Sequence, residues 1–266
     1  ETAERNIPMK EENNTKNSPD RQKALAHLRN AKELFVIISM HTRMPFVFCD
    51  PETFDDEVLL YKTEEEAQKG GKLLLAQKDP VNIAKLENRH LLSFYSNLFT
   101  MGVNAMAVNK GLEDEIHLQL GELVKRPDMD NLPDGRKWVE NPQFHLTALY
   151  FMQQMRKDPK QQMTEELKEM QEELLVDLQR GKYLVPAEPD KGLLVMKQKD
   201  GSVFLPIFTD PDELRKFNRD NKYRTAVIEY AKIPELLPPE AKGVIVNPLG
   251  VNIPFNIARP KKTETK

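Results

Sequence analysis

Apolar residues recur along this chain with two spacings, one typical of helices and one typical of strands. Ser18-Pro19-Asp20 is a helix-start signature, because the serine oxygen can accept an unpaired N–H and proline suits the first helical position. An apolar stripe at helical spacing follows, formed by Ala24, Leu25, Leu28 and Ala31. The spacing then changes, and Phe35-Val36-Ile37-Ile38 predicts a buried strand.

The same transition from helix to strand recurs later in the chain. A second helix is predicted from a stripe of large apolar residues, Met163, Leu167, Met170, Leu174 and Leu178. It leads into the strand-like segment 181–186, where Gly181 is predicted to cap the helix in the left-handed conformation. The two transitions suggest an internal repeat.

Three further pairs of segments occur in the same order in the two halves. Segment 58–67 aligns without a gap on 205–214, each a strand that enters a helix. Thr63 with Glu66 predicts a capping box, and Asp210 with Glu213 predicts another. The remaining pairs are 81–86 with 231–236, and 105–111 with 243–250.

The chain is therefore predicted to be an α+β protein made of two tandem copies of a mixed-sheet unit with helices packed on it. The first unit carries an additional helix at about 88–98. The predicted boundaries are a polar N-terminal arm at 1–17, a first unit at 18–125, a connector at 126–140, a second unit at 141–259 and a polar tail at 260–266.

Two motifs of the second unit resemble the SseB family, which is named for enhanced serine sensitivity. One is the strand that reaches Phe208-Thr209 before an acidic helix start, and the other is the apolar strand that ends in 247–250, Asn-Pro-Leu-Gly. The first unit departs from both motifs, with Lys62 in place of the threonine and no proline after Asn109. The resemblance implies a fold and brings no established activity or catalytic residues. It leaves a pocket between the Phe208 strand and the Asn247 turn as a candidate site.

Composition and charge exclude several classes of protein. The 266 residues carry a net charge of −3, so no overall positive field favours nucleic acid or anionic lipid. No apolar run approaches the ~18–20 residues of a membrane-spanning helix. Cys49 is the only cysteine, which excludes an intramolecular disulfide and a thiolate cage. These features predict a cytoplasmic protein, although a signal or lipid-bearing segment could precede Glu1.

Two clusters of candidate residues lie in the first unit. His41, Cys49 and Asp50 could form an activated nucleophile, whereas a cysteine after an apolar strand is more often a small buried side chain. Metal ligation is the hypothesis for a second set, Glu113, Asp114, Glu115 and His117, although its spacing matches no ligand motif.

Other candidates have structural interpretations. His27, His90 and His145 are predicted at surface or cap positions, because nothing pairs them in sequence. Gly70-Gly71-Lys72 lacks the P-loop spacing and predicts the end of a helix. The stretch 215–224 mixes cations with aromatic residues, yet the acidic residues within and before it favour a solvated face over nucleic-acid binding.

We therefore expect a binding or interaction module for an unknown protein or small-molecule partner, with no assigned catalytic residue, metal or cofactor. The alternatives are a hydrolytic or metal-dependent enzyme that uses the first unit, and a weak nucleic-acid binder. Sequence leaves the oligomeric state open.

Overall fold

A computed structural model describes residues 18–126, 128, 138–158, 160 and 162–259. The predicted arm at 1–17, the tail at 260–266 and most of the connector at 126–140 lie outside these residues. The described residues form two compact units. The first contains 18–40, 45–99 and 103–126, and the second contains 41–44, 100–102 and the described residues from 128 onward.

The first unit is built on one mixed sheet. Its elements in chain order are α1 (Pro19–Asn30), β1 (Glu33–Ser39), β2 (Val47–Cys49), β3 (Asp56–Tyr61), α2 (Glu64–Ala76), β4 (Val81–Glu87), α3 (Asn88–Thr100), β5 (Ala105–Val108), β6 (Ile116–Gln119) and α4 (Leu120–Leu123). The sheet order is β4-β1-β3-β5-β6, with β2 paired to β3. Only the β3–β5 pair in this sheet is parallel.

Alternation along the strands gives this sheet two apolar faces. One face carries a buried cluster that packs under α2, formed by Phe35, Ile37, Phe46, Leu59, Tyr61, Ala67 and Ala107. The strand residues between them are also buried, as Leu34, Val36 and Leu60 show. These intervening residues point to the other face of the sheet, where α1 contacts β6 and α4. The Tyr95 hydroxyl of α3 donates to the Leu28 carbonyl of α1 at 2.9 Å.

The second unit is also built from strands and helices. Its elements are α5 (Pro142–Lys157), α6 (Glu165–Arg180), β7 (Lys182–Glu188), β8 (Gly192–Leu193), β9 (Met196–Lys197), β10 (Val203–Ile207), α7 (Pro211–Phe217), β11 (Arg224–Glu229), a 3-10 helix (Tyr230–Lys232), α8 (Ile233–Leu236), β12 (Gly243–Val246) and β13 (Ile253–Asn256). Two ladders, β11-β7-β8 and β13-β12-β10-β9, are joined by a bridge between Leu184 and Phe208.

The α+β class is confirmed by these elements. The Leu184–Phe208 bridge gives the second unit the strand order β11-β7-β10-β12-β13. The strand order in the first unit, β4-β1-β3-β5-β6, has the same pattern along the chain. In both units the pair at the centre, β3–β5 or β10–β12, is parallel. The tandem repeat itself stays a prediction, and this common order supports it.

One predicted correspondence is wrong. Segment 81–86 forms β4, whereas 231–236 lies in the 3-10 helix and α8. The strand that occupies the place of β4 in the second sheet is β11, seven residues earlier in the chain than the predicted match. Both segments carry apolar residues at alternate positions, so short-range pattern alone could not separate the strand from the helix.

Two glycine predictions are also wrong. Gly181 has φ −74° and ψ 160°, so it does not cap α6 in the left-handed conformation. A Cβ there would lie 2.5 Å from the Tyr183 hydroxyl oxygen, which makes close approach the reason for glycine. Gly70 and Gly71 lie inside α2 rather than at its end. A Cβ on Gly70 would lie 2.0 Å from the hydroxyl oxygen of Tyr61.

The two helix starts differ in their side-chain bonds. Thr63 and Glu66 form the predicted capping box at α2. Asp210 caps α7 by accepting from the N–H groups of Asp212 and Glu213, as predicted. The carboxylate of Glu213 bonds to Lys216 instead of closing a box, because it faces a buried histidine in the unit core.

Candidate functional site

The candidate site is the edge of the α2-covered face of the first unit, where four charged side chains converge. Glu57 is the second residue of β3, and His117 is the second residue of β6. The intervening strand β5 presents two alanines on this face, Ala105 opposite Glu57 and Ala107 opposite His117. Small residues on β5 leave room for Glu57 and His117 to meet across it.

His117 lies at the centre of this group. Its Nδ1 atom is 2.8 Å from both carboxylate oxygens of Glu57 and 3.7 Å from Oδ2 of Asp50. Its Nε2 atom is 3.0 Å from Oε1 of Glu115. The Arg21 guanidinium donates to the His117 carbonyl at 2.8 Å and holds this end of β6 in place.

Burial controls the electrostatics of the group. Glu57 is fully buried at 0% exposure, so its charge has lost its hydration and depends on neighbouring cations. The hydrogen bond to Glu57 raises the pKa of His117 above its usual value, against the opposing effect of burial. Burial works to raise the pKa of Asp50, but the N–H groups of Thr53 and Glu52 outweigh it and hold that pKa low.

Three of these residues lie close enough together to ligate one metal ion. Asp50, Glu57 and His117 each offer one ligand atom, and the three atoms lie within 4.8 Å of one another. Asp50, Glu115 and His117 were sequence candidates, and the structure brings them together. Sequence reasoning missed Glu57. It alternates with Leu59 and Tyr61 along a predicted buried strand, and this placement of a glutamate on the apolar face could have identified it.

An apolar groove of about 470 Å³ borders the charged group on the same face. Its walls come from β2, β3 and α2, with Lys110 and Glu115 at the rim; the apolar lining residues are Phe46, Phe48, Leu59, Tyr61, Leu73 and Leu74. Leu73 is 59% exposed at the groove edge. The Lys110 ammonium lies 4.5 Å from the Phe48 ring centroid and 3.8 Å from Glu115 Oε1.

The Tyr61 hydroxyl, a polar group of the groove, is bonded within it. The Tyr61 hydroxyl donates to the Lys110 carbonyl at 3.1 Å, and burial raises the pKa of Tyr61 to about 12. Tyr61 is therefore protonated at physiological pH. The groove thus offers a ligand mainly apolar surface.

The candidate nucleophile gains no support from its surroundings. Cys49 is exposed, so the prediction of a small buried side chain is wrong. Partial desolvation and the carboxylates of Asp56 and Asp50 raise the pKa of Cys49, whereas an activated thiol needs a lowered pKa. His41 groups with the second unit, where its carbonyl accepts from the Arg156 guanidinium.

Glu113 and Asp114 take places away from the histidine group. Asp114 accepts from the Asn109 side-chain amide at 3.0 Å and pairs with Lys62. These bonds hold the pKa of Asp114 low against burial, which works to raise it. Glu113 is exposed and lines a separate cavity of about 580 Å³ that includes His27.

In the second unit, the place between the Phe208 strand and the Asn247 turn is filled by buried polar side chains. Asn247 Oδ1 accepts from the Thr209 N–H at 3.0 Å, and its amide donates to the Thr209 hydroxyl at 2.8 Å. Asp210 Oδ2 lies 2.7 Å from that hydroxyl oxygen and 3.3 Å from Nδ1 of His145. The motif residues therefore hold the strand, turn and helix together.

His145 corrects the prediction of a surface or cap position. It is 1% exposed and lies between Asp210 and Glu213, with Nε2 4.0 Å from Glu213 Oε1. The apolar period of α5 placed this face toward the core, and the histidine is tolerated there because carboxylates surround it. His27 and His90 are exposed, as predicted.

The cationic stretch 215–224 is partly neutralised by its own helix. Arg215 pairs with Asp212 at 2.5 Å, and Lys216 pairs with Glu213 at 2.5 Å. Such pairs at i,i+3 spacing are typical of a solvated helix face and reduce the charge available to a phosphate backbone.

Residues 160–258 match the SseB protein N-terminal domain. The SseB resemblance is thus confirmed for the stretch from α6 to β13, and the first unit lies outside the match. No curated protein matches the chain. In the described part of the chain, no helix combines the length and apolarity that a bilayer span requires.

Two solved structures align over most of the chain with low similarity. Tic22 from Plasmodium falciparum is 13% identical, with 83% of this chain and 90% of that chain covered and a TM-score of 0.22. Anabaena Tic22, described with protein transport, is 12% identical, with 84% and 92% covered and a TM-score of 0.19. At these TM-scores, neither alignment establishes a common fold.

Proposed function

We propose that this chain is a non-enzymatic binding module, and that the groove of its first unit holds apolar side chains of a protein partner. The observation that carries the proposal is an aromatic-lined groove of about 470 Å³ with the largely exposed Leu73 at its edge. A volume in this range is typical of ligand sites, and an exposed leucine beside it gains from being covered.

The chemistry of the lining favours a peptide segment over a polar small molecule. Sites for polar metabolites present several convergent donors and acceptors. Here the Tyr61 hydroxyl is bonded to a backbone carbonyl, and Lys110 is paired with Glu115. What the groove offers a ligand is apolar area, which large aliphatic or aromatic side chains of a protein would bury.

A peptide-display selection against the purified chain tests the proposal. We expect enriched peptides with closely spaced large apolar residues, and binding measured by fluorescence anisotropy. Leu73→Glu places a charge at the groove edge and should weaken the selected peptides at least tenfold, or about 1.4 kcal/mol. Because Leu73 is 59% exposed, the substitution should leave the fold intact.

Leu92→Glu is the matched control, since Leu92 is 68% exposed on α3 of the same unit and does not line the groove. The affinity of this variant for the selected peptides should stay within about twofold of that of the original chain. Failure to enrich any peptide, or equal weakening by the two variants, would contradict the groove as the binding site. A cytoplasmic location belongs to the same proposal, and fractionation of the native protein checks it.

A further inference from the structure

The cluster around Glu57 has more carboxylates than cations, and the peptide proposed for the groove does not account for this excess. Three carboxylates, Asp50, Glu57 and Glu115, surround one imidazole, and Glu57 is fully buried. A buried carboxylate is costly unless a cation or several donors compensate its charge. The nearby Lys110 ammonium pairs with Glu115 at 3.8 Å.

We propose that Asp50, Glu57 and His117 form a binding site for a divalent transition-metal cation, with Zn²⁺ as the best fit. One imidazole nitrogen with carboxylate oxygens is a donor set that suits Zn²⁺ and Mn²⁺. The site goes beyond peptide binding, because it lies at the sheet edge beside the groove and none of its three ligands contributes to the apolar lining.

The distances between the donor atoms agree with a single ion. Zn²⁺ holds nitrogen and oxygen ligands at about 2.0–2.2 Å in a tetrahedron, so two ligand atoms on one ion lie about 3.3 Å apart. His117 Nδ1 is 2.8 Å from the Glu57 oxygens and 3.7 Å from Asp50 Oδ2. Small side-chain adjustments would therefore admit an ion among these three residues.

Glu115 and the backbone provide the supporting contacts that a metal-binding histidine requires. Such a histidine usually donates its second ring N–H to a carboxylate, which fixes the tautomer that frees the other nitrogen for the metal. Glu115 Oε1 lies 3.0 Å from Nε2 and is placed to accept that proton. Asp50 Oδ1 accepts from the N–H groups of Glu52 and Thr53, which leaves Oδ2 directed at His117.

The three ligands come from separate elements of one sheet, which makes the site rigid. Asp50 directly follows β2, Glu57 lies on β3 and His117 lies on β6. Glu57 pairs in register with Phe48 of β2, so the sheet itself sets the spacing between the first two ligands. A site held by neighbouring strands loses little entropy on binding an ion.

Isothermal titration of the metal-free full chain with Zn²⁺ tests the proposal. We expect one equivalent to bind, and expect binding to be lost in His117→Gln and in Glu57→Gln. Glu115→Gln removes only the supporting carboxylate and should weaken Zn²⁺ by about 10–100-fold. His90→Gln is the matched control, because His90 is exposed on α3 and should leave the titration unchanged.

Circular dichroism of each metal-free variant keeps folding separate from binding. His117 is partly exposed, so His117→Gln provides a folded test chain if Glu57→Gln does not fold. Absence of Zn²⁺ binding by the original chain would overturn the proposal and assign the role of the cation to the imidazolium alone. Retained binding in a folded His117→Gln would overturn it as well. Neither result bears on peptide binding, which is measured separately.

Discussion

Asp210→Ala should be far more destabilising than a substitution at the corresponding helix cap of the first unit. Asp210 is fully buried, and its carboxylate accepts from two N–H groups of α7, from the Thr209 hydroxyl and from His145. Loss of the cap costs about 1 kcal/mol. The hydroxyl and imidazole left without an acceptor add about 1–3 kcal/mol each, so we expect roughly 3–7 kcal/mol in total.

Thr63→Ala is the matched variant, because Thr63 caps α2 at an exposed position and should cost only about 1 kcal/mol. Asp210→Asn keeps the cap acceptor and should fall between the two. Urea unfolding is the assay, followed by far-UV circular dichroism for both units. Fluorescence of Trp138, the only tryptophan of the chain, adds a probe of the second unit, because Trp138 lies beside the Val139 core. Equal losses for Asp210→Ala and Thr63→Ala would refute the reasoning that burial amplifies the cap.

Three more outcomes follow from particular contacts. Burial alone would raise the pKa of Asp210, but bonds to its carboxylate keep that pKa below the unfolded value. The free energy of unfolding should therefore fall once the pH drops below about 4. In urea titrations at several pH values, Asp210→Asn should reduce that loss. Gly70→Ala must displace a tyrosine hydroxyl and should cost about 1–3 kcal/mol in thermal melts, whereas Gly71→Ala meets its nearest atom at 3.4 Å and should be neutral or stabilising. Asn109→Ala and Asn247→Ala should each lower the free energy of unfolding by about 2–4 kcal/mol, because both asparagines are buried with positive φ and accept a backbone N–H. A loss of stability for only one of the two variants would count against equivalent roles of the asparagines.

Local physics made much of the fold predictable from sequence. The Ser18 cap, the Thr63–Glu66 capping box and the strand at 35–38 each depend on neighbouring residues, and all three are confirmed. The additional helix predicted at about 88–98 corresponds to α3. Features of this kind require no knowledge of distant parts of the chain.

The errors arose where side-chain packing, rather than a local cap or turn, decides which residue is tolerated. Gly181 is required by the closeness of the Tyr183 ring, not by helix termination, and Gly70 by the tyrosine beneath α2. His145 found its carboxylates on α7, more than sixty residues away. No periodicity in a short window reports such partners.

The candidate site was predictable only in part for the same reason. His117, Glu115 and Asp50 attracted attention because chemistry-bearing residues lie near them in sequence. Glu57 belongs to the group through the register of β3 with β5, which a single sequence does not specify. The nearby Glu113 and Asp114 were predicted with His117 but point elsewhere, because adjacent residues in a turn have no common face.

The two alanines of β5 have an evolutionary implication. Ala105 and Ala107 bear no functional group, yet their short side chains allow an acid on one strand to reach an imidazole two strands away. A valine at either position would force these partners apart while every ionisable residue remained in place. Homologues could therefore gain or lose this chemistry through the addition or removal of two methyl groups, a change that a survey of charged residues would overlook.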